Sequence, residues 1–206
     1  SDVYKRQLPF IHLVESSGIN LMNYTVEFWS NTGGMFYGLA KLSAAGIPTI
    51  AVLHGLSTAG GAYQPGMSDY VIGVKKNGMA ALAGPALLKA ATGEIAKNEE
   101  LGGSEMHSRV TGLVEYLADD DAHAIEIVRD LINKIDWNSK ILKRESIKFQ
   151  EPIYDCGEII GVVPIDYKVP YDVRELIARI VDSSDFMDFK PQYLSLIHIS
   201  EPTRQP

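Results

Sequence analysis

A short apolar run that leads into a glycine-rich turn constrains the fold more than any other segment of the chain. Residues 52–69 read VLHGLSTAGGAYQPGMSD. The apolar residues 49–53 predict a buried strand, and the glycines within residues 55–61 are expected to end it. We expect the chain to turn at Gly60 and Gly61 and to begin a short helix near residues 62–67.

Two interpretations of this turn stay open on the pattern alone. Backbone N–H groups at a helix N-terminus carry partial positive charge, so two of them can hold an oxygen that becomes negative during a reaction. Glycine would serve there because a side chain would block the approach of a ligand to the backbone. A tight turn that allows close helix packing is the simpler alternative.

The remaining pattern alternates strands and helices. Further strands are predicted at residues 9–15 and 70–75, and helices at residues 33–46, 85–92, 119–135 and 171–181. Residues 138–168 are predicted to be a connector with a short element around residues 156–163. Strands that alternate with helices predict an α/β fold with crossover connections.

The composition excludes several classes of protein. The formal net charge is −7 at pH 7, which argues against a general nucleic-acid surface. No apolar run approaches the roughly 20 residues that a bilayer span needs. Cys156 is the only cysteine, so a disulfide scaffold is excluded and a reducing compartment is expected. No zinc-ligand spacing, phosphate-binding loop or nucleophile elbow is present, so we expect no metal and favour backbone donors over a side-chain nucleophile.

The two ends do not resemble the rest of the chain. Residues 1–7 (SDVYKRQ) and 194–206, which begin LSLIHIS, resemble the two strands of a transposase sequencing adapter in translation. We therefore expect both ends to be non-native and residues 8–193 to be an internal piece of a longer protein.

Several other residues are candidates for a ligand site. Residues 16–20, which include Gly18, form a second glycine turn or simply a strand end. Gly84 and Pro85 stand at the start of a predicted helix, which forms either the wall of a pocket or ordinary packing. His107 is expected to be a hydrogen-bonded structural histidine, and His54 a histidine in or near the core.

Four separate blocks of the sequence match one known family. The blocks are SAAGIPTIAVLHGLSTAGGAYQPGMSDY, LAGPALLKAATGE, EELGGSEMHSRVTGLVEYLADDDAHAI and PYDVRELIARIVDSSDF, and they occur in family order. Together they resemble the carboxyltransferase (β) subunits of biotin-dependent acyl-CoA carboxylases. The resemblance is nearer to the methylcrotonyl-, geranyl- and propionyl-CoA carboxylase type than to the members that carry a zinc ribbon.

The resemblance implies a crotonase-like fold of repeated β-β-α units. It assigns residues 8–137 to part of the N-terminal carboxyltransferase domain, residues 138–168 to a connector and residues 169–193 to the start of the C-terminal domain. The implied reaction transfers a carboxyl group from N-carboxybiotin to an acyl-CoA. In that family the released biotin takes the substrate proton, so no protein general base is required.

The resemblance also implies roles for individual residues. The amides of Gly60 and Gly61 would be the catalytic oxyanion donors, and Ala62 would continue the turn. The residues that line the acyl-CoA binding site would be Gly18, Gly84, Pro85 and Gly93. Ile19 and Tyr70 stand where many members have Ala and Glu, which bears on the choice of acyl substrate more than on the reaction.

The implied partners are an acyl-CoA substrate, a biotin carboxylase or biotin carrier subunit that brings the biotin cofactor, and further copies of the full-length chain in at least a dimer. No nucleic acid, membrane or metal is implied. The expected location is the bacterial cytoplasm or, in a eukaryote, the mitochondrial matrix. Three alternatives remain open: a biotin-dependent decarboxylase subunit, a crotonase-type hydratase or isomerase, and a non-catalytic assembly module.

Overall fold

The structure is a computed structural model that describes residues 8–16, 22, 25–135, 149–166 and 168–193. Gly18, Ile19 and the two ends that resemble adapter translations lie outside the described residues. These residues fall into two units, which are described separately: one holds residues 8–135 with 190–193, and the other holds residues 149–189 apart from residue 167.

The first unit is built on one parallel sheet. Its strands are β1 (Phe10–Ser16), β2 (Thr49–Thr58), β3 (Tyr70–Val74), β4 (Met79–Ala81) and β5 (Tyr116–Ala118). The order is β1-β2-β3-β5, and β4 pairs separately with β2. Every pairing among these strands is parallel, which agrees with the predicted crossover connections.

Strand β2 changes its partner along its length. Its first half, from Ile50 to Leu53, pairs with β3, and its last three residues pair with β4. Its register against β1 also shifts, because Val14 lies opposite Leu53 whereas Ser16 lies opposite Ser57. The extra residues in β2 form a bulge, and a bulge bends the strand that contains it.

The prediction that this strand ends at residue 53 was wrong. Gly55 lies against Glu15 of β1, and a Cβ atom at residue 55 would stand 2.6 Å from the Glu15 side chain. Glycine therefore allows the strand to pass close to Glu15 and continue to Thr58, where the sequence pattern predicts that glycine breaks the strand.

Helices and tight turns connect the strands. The α-helices are α1 (Val26–Ala44), α2 (Tyr63–Gly66), α3 (Pro85–Thr92), α4 (Asn98–Gly102), α5 (Ser104–Met106) and α6 (Asp121–Lys134). A 3-10 turn spans Ala59–Ala62, and a π-type turn spans His107–Thr111. The predicted helix at residues 85–92 coincides with α3. No sequence pattern predicts the three-residue β4 and β5, because strands of that length carry too few residues to show a period.

The core lies around the first half of β2. Residues Ile50, Ala51, Val52 and Leu53 are all buried, as expected for a parallel strand covered on both faces. Helix α6 buries Ala124, Val128 and Leu131, which follow helical spacing. The start of β2 is fixed by Asp69, whose carboxylate accepts hydrogen bonds from the amide and hydroxyl of Thr49, both at 2.8 Å.

The second unit contains short elements. They are a 3-10 turn (Cys156–Glu158), α7 (Ile159–Val162), α8 (Val173–Ile177) and a 3-10 turn (Asp182–Ser184). The predicted short element near residues 156–163 is present, whereas the helix predicted at residues 171–181 is regular only over α8. The Arg179 guanidinium joins these elements, lying 2.9 Å from a Glu158 carboxylate oxygen and 2.8 Å from one of Glu175. The domain boundaries at residues 137 and 168 stay predictions.

In the first unit, a buried carboxylate joins β3 to the last described segment. Glu115 is only 8% exposed, and its Oε2 atom accepts the amide hydrogen of Val71 at 2.6 Å. Its Oε1 atom lies 3.3 Å from Lys190 Nζ, which also donates to the Gly112 carbonyl at 2.7 Å. Burial raises the pKa of Glu115, and the hydrogen bonds and the Lys190 charge oppose that rise.

The raised pKa of Glu115 predicts a pH-dependent stability. As the pH rises above the ordinary value of 4.5, the unfolded chain loses this proton while the folded chain keeps it, so the free energy of unfolding falls until the raised pKa is passed. Glu115→Gln keeps an acceptor for Val71 but cannot titrate. Urea unfolding over a pH series should show wild type losing stability relative to Glu115→Gln within that window, and a constant difference would contradict the prediction.

Candidate functional site

Three strands end at the same edge of the sheet. Strands β1, β2 and β4 are parallel neighbours, and Ser16, Thr58 and Ala81 are their last residues. Their carboxyl ends therefore lie side by side, and this is the edge at which ligands bind in open α/β sheets. The predicted site residues Gly60, Gly61, Gly84 and Pro85 follow two of these strands.

The turn after β2 is a helical N-terminus. Thr58 is the extended cap residue (φ −119°, ψ 156°), and Ala59 has the left-handed φ of +52°. A left-handed residue followed by helical ones directs successive N–H groups towards one side, which makes a small anion-binding concavity. The first residue that an i→i+3 hydrogen bond can reach in this turn is Gly61, so the Gly60 amide comes before the hydrogen-bonded part of the turn.

The two adjacent glycines have different surroundings. Gly61 is buried, and a Cβ atom there would lie 2.7 Å from Ser16 Cβ and 2.9 Å from Ser16 Oγ. Gly60 is exposed, and a Cβ atom there would meet nothing within 4 Å. The φ of both lies outside the left-handed region, so neither is required by backbone conformation. Packing explains glycine at residue 61, whereas neither packing nor backbone conformation explains it at residue 60.

The other predicted site residues have mostly structural explanations. Ala62 ends the 3-10 turn and is partly buried against the core. Gly84 caps the start of α3, and Pro85 stands in the first turn. The Gly84 carbonyl accepts hydrogen bonds from the Leu87 and Leu88 amides. Gly93 ends α3 with a φ of +79°, a conformation that favours glycine. The structure thus places Gly84 and Pro85 just after β4, and Gly93 at the far end of the helix.

Helix α3 exposes apolar side chains. None of its residues is buried, Leu87 is 62% exposed, and the neighbouring Leu82 and Ile95 are 76% and 83% exposed. Large apolar side chains are thus exposed within α3 and on either side of it, where an apolar ligand or partner could cover them.

Two serines behind the turn were missed by the sequence patterns. Ser16 lies opposite Ser57 in the β1–β2 pairing and also contacts Gly61. Ser57 is fully buried, and its hydroxyl has no hydrogen-bond partner among the described residues. No sequence signal could identify them, because their closeness to Gly61 depends on the bulge in β2.

The histidines behave largely as expected. His107 donates or accepts through both ring nitrogens within the protein, and His54 is partly buried with Nδ1 3.7 Å from Asp121 Oδ1. Burial lowers the pKa of His12, whose Nε2 lies 2.9 Å from the Ser68 hydroxyl. Over the part of the chain that the structure describes, no group of three or more His, Cys, Asp or Glu side chains could hold a metal ion, and no helix is long and apolar enough to cross a bilayer.

Comparison with known proteins decides the family. The carboxyl transferase domain family matches residues 2–197, which is nearly the whole chain. The chain belongs to the carboxyltransferase family. The expected α/β fold of the crotonase-like type is thereby confirmed for this carboxyltransferase chain.

The individual relatives are β subunits and carboxyltransferases of much greater length. The probable biotin-dependent acyl-coenzyme A carboxylase beta2 subunit of Mycobacterium tuberculosis is 48% identical over 190 residues, which cover 92% of this chain and 35% of that protein. The crystal structure of the Pseudomonas aeruginosa geranyl-CoA carboxylase β subunit shares 46% identity with a TM-score of 0.61, over 92% of this chain and 35% of that one. A structure of transcarboxylase 12S with methylmalonyl-coenzyme A has 33% identity and a TM-score of 0.80, over 93% and 37%. This carboxyltransferase chain thus spans little more than a third of its relatives.

The contrast between the two glycines predicts different effects on stability. Gly61→Ala is expected to lower the free energy of unfolding by about 1–3 kcal/mol, because its Cβ would overlap Ser16. Gly60→Ala is expected to change it by less than about 0.5 kcal/mol, because its Cβ points into open space. Urea unfolding measures both, and Ser16→Gly should recover part of the loss in Gly61→Ala. Equal losses for the two alanine variants would contradict the assignment.

Proposed function

We propose that this chain supplies the acyl-CoA half of a carboxyltransferase active site in the β subunit of a biotin-dependent acyl-CoA carboxylase. In this proposal the amides of Gly60 and Gly61 hold the thioester oxygen of the substrate. The observation that carries it is Gly60, an exposed glycine at the start of a helical turn, which neither packing nor backbone conformation requires.

The chemistry needs such a donor. Removal of a proton from the carbon next to a thioester moves negative charge onto the thioester oxygen. N–H groups that already point at this oxygen stabilise the enolate without reorganisation, and the loss of one such donor typically costs about 2.7–4 kcal/mol. The Gly60 amide precedes the hydrogen-bonded part of the turn and is the leading donor. The Gly61 amide is buried and is the first that the i→i+3 bonds of the turn engage, so in this proposal it is the weaker, second donor.

The neighbouring residues complete the acyl-CoA half. Gly84 and Pro85 follow β4, which pairs with the end of β2, so their connection starts beside the glycine turn. The exposed apolar side chains of Leu82 and Leu87 provide a wall for an acyl chain. Ala62 continues the turn, and Gly18 and Gly93 remain proposed lining residues.

The biotin cofactor belongs to the proposal as a group carried by a partner. When bound, it supplies the carboxyl group and accepts the substrate proton. The open face of the 3-10 turn fits an oxyanion of the acyl substrate, and we assign no described residue of this chain to biotin itself. A biotin carboxylase or biotin carrier subunit and further copies of the full-length chain are the proposed partners, and a hexamer is described for transcarboxylase 12S.

A bulky residue at the open glycine should abolish turnover without unfolding the protein. Gly60→Val in the full-length subunit, assembled with its biotin-bearing partner, is expected to lower kcat by about 10²–10³-fold. The matched control is Gly66→Val at the exposed end of α2, where a Cβ also meets nothing within 4 Å. Carboxyl transfer to acyl-CoA and the urea midpoint are measured together. Full activity in a folded Gly60→Val subunit would disprove the oxyanion role.

The chain by itself is expected to be inactive. It covers 35% of its acyl-CoA carboxylase relative, and the resemblance places the second oxyanion hole and much of the biotin site in the C-terminal domain. The 206-residue chain should therefore show no transfer from N-carboxybiotin to acyl-CoA above the uncatalysed rate, measured by radiolabelled product. Measurable transfer by the isolated chain would contradict this expectation.

A further inference from the structure

The segment from Gly102 to His107, which reads GGSEMH, runs along the outer edge of β4. Gly103 forms an antiparallel bridge with Met79, and Ser104 donates its amide and hydroxyl to the Gly78 carbonyl at 2.9 and 3.0 Å. A Cβ atom on Gly102 would lie 2.4 Å from the carbonyl oxygen of Ala80. The glycine pair therefore allows two backbones to approach closely, which accounts for this part of the motif.

His107 completes the cover of this edge. Its Nε2 atom lies 2.7 Å from the Ala80 carbonyl oxygen, and its Nδ1 atom lies 2.8 Å from the Thr111 hydroxyl oxygen. A carbonyl can only accept, so Nε2 carries the hydrogen and donates it to Ala80. The Nδ1 atom faces the Thr111 hydroxyl, which also donates to the His107 backbone carbonyl at 3.2 Å, and the Ala80 and Thr111 contacts together fix the orientation of the ring. The π-type turn His107–Thr111 brings these two residues onto one face.

The residue held by His107 lies beside the last part of β2. Ala80 pairs with Ser57, and the next two residues of β2 are Thr58 and Ala59, where the turn begins. Strand β4 has only three residues, so it forms few ladder bonds and depends on what holds its outer edge. Gly84 follows β4 on the same side. One side-chain bond from His107 thus supports the strand that lies between the turn with Gly60 and the connection with Gly84 and Pro85.

We propose that His107 is a positioning residue for the turn that carries Gly60. By donating Nε2–H to the Ala80 carbonyl, it holds β4 against the end of β2 and so fixes the direction of the Gly60 amide. This inference rests on the proposed oxyanion role of Gly60 for its catalytic consequence, but the mechanical link between His107 and the turn is independent of that role.

The mechanical link is tested by amide hydrogen exchange in the full-length subunit. His107→Leu removes the donor and is expected to speed exchange in residues 56–62 and 79–83, while His107→Gln keeps an N–H donor and should restore much of the protection. The control is His123→Leu on α6, whose ring accepts a hydrogen bond from the Asp119 amide just after β5, and it should leave both segments unchanged. Wild-type exchange in residues 56–62 of a folded His107→Leu subunit would overturn the proposal.

If His107→Leu does not fold, Thr111→Val provides the test. This variant keeps the Nε2 donor and removes the hydroxyl that contacts Nδ1, so the same two segments should exchange faster but by a smaller factor. The hydroxyl also bonds the His107 carbonyl and the Leu113 amide, so the exchange of residues 107–113 is measured separately as the local effect. Unchanged exchange of residues 56–62 in Thr111→Val would then overturn the proposal.

The catalytic consequence is tested in the assembled complex with its biotin-bearing partner. His107→Leu is expected to lower kcat per folded active site by about tenfold or more, with KM for acyl-CoA within about twofold, because the oxyanion contact is strongest in the transition state. His107→Gln should regain most of the loss. A loss of folded protein alone would lower the number of active sites without changing kcat per site.

The two proposals fail in different ways. If Gly60→Val is inactive while His107→Leu retains full kcat, the positioning role is wrong and the oxyanion role stands. If a folded Gly60→Val subunit retains full kcat, the oxyanion role is wrong, and the exchange of residues 56–62 in His107→Leu decides by itself whether His107 holds the turn.

Discussion

The change of partner along β2 is the constraint on which the rest of the first unit depends. Its first half is buried between β1 and β3, and its last three residues pair with β4. A strand can bend in this way only where extra residues are accommodated, and here the bulge lies opposite Glu15, with Gly55 against that side chain. Thr58 is only partly buried, yet it is still paired with Ala81 of β4. A turn that starts from a paired strand has a defined direction, which a turn in a free loop would lack.

The glycines around this bend serve three different purposes. Gly55 and Gly61 allow close approach to side chains of β1, namely those of Glu15 and Ser16. Gly93 supplies a left-handed φ at the end of α3. Neither close approach nor a left-handed φ explains the glycine at residue 60. A Cβ atom there would face open space at the start of a helical turn. Gly66 on α2 is equally open, so openness alone does not mark a ligand site. Gly60 is the candidate because it also stands at the start of a helical turn, beside the ends of β1 and β4.

The edge of β4 shows how a short strand can support a reactive turn. A three-residue strand at a sheet edge is weakly held. Here Ser104 bonds the carbonyl of Gly78, just before the strand, and His107 contacts the carbonyl of Ala80 within it. A histidine at residue 107 is therefore explained by its contact with β4, without any contact with substrate. The same arrangement places the connection to Gly84 and Pro85 next to the glycine turn, so one edge of the sheet carries both proposed parts of the acyl-CoA half.

The sequence by itself determined the class of fold, the family, and most of the main strands and helices. The helix predicted at residues 33–46 is the second part of the longer α1 (Val26–Ala44). The apolar runs of β1, β2 and β3, the proline at the start of α3 and the helical spacing of α6 are local signals, and local signals survive without knowledge of the fold. The resemblance in four blocks identified the carboxyltransferase family, and the match over residues 2–197 agrees with it. Only the tertiary structure decided that β2 continues past Gly55, that β4 and β5 exist, and that Ser16 lies against Gly61 while Gly60 is open. These features depend on which residues of distant strands lie opposite one another, and strand register is fixed by pairing and burial across the whole sheet rather than by neighbours in the chain.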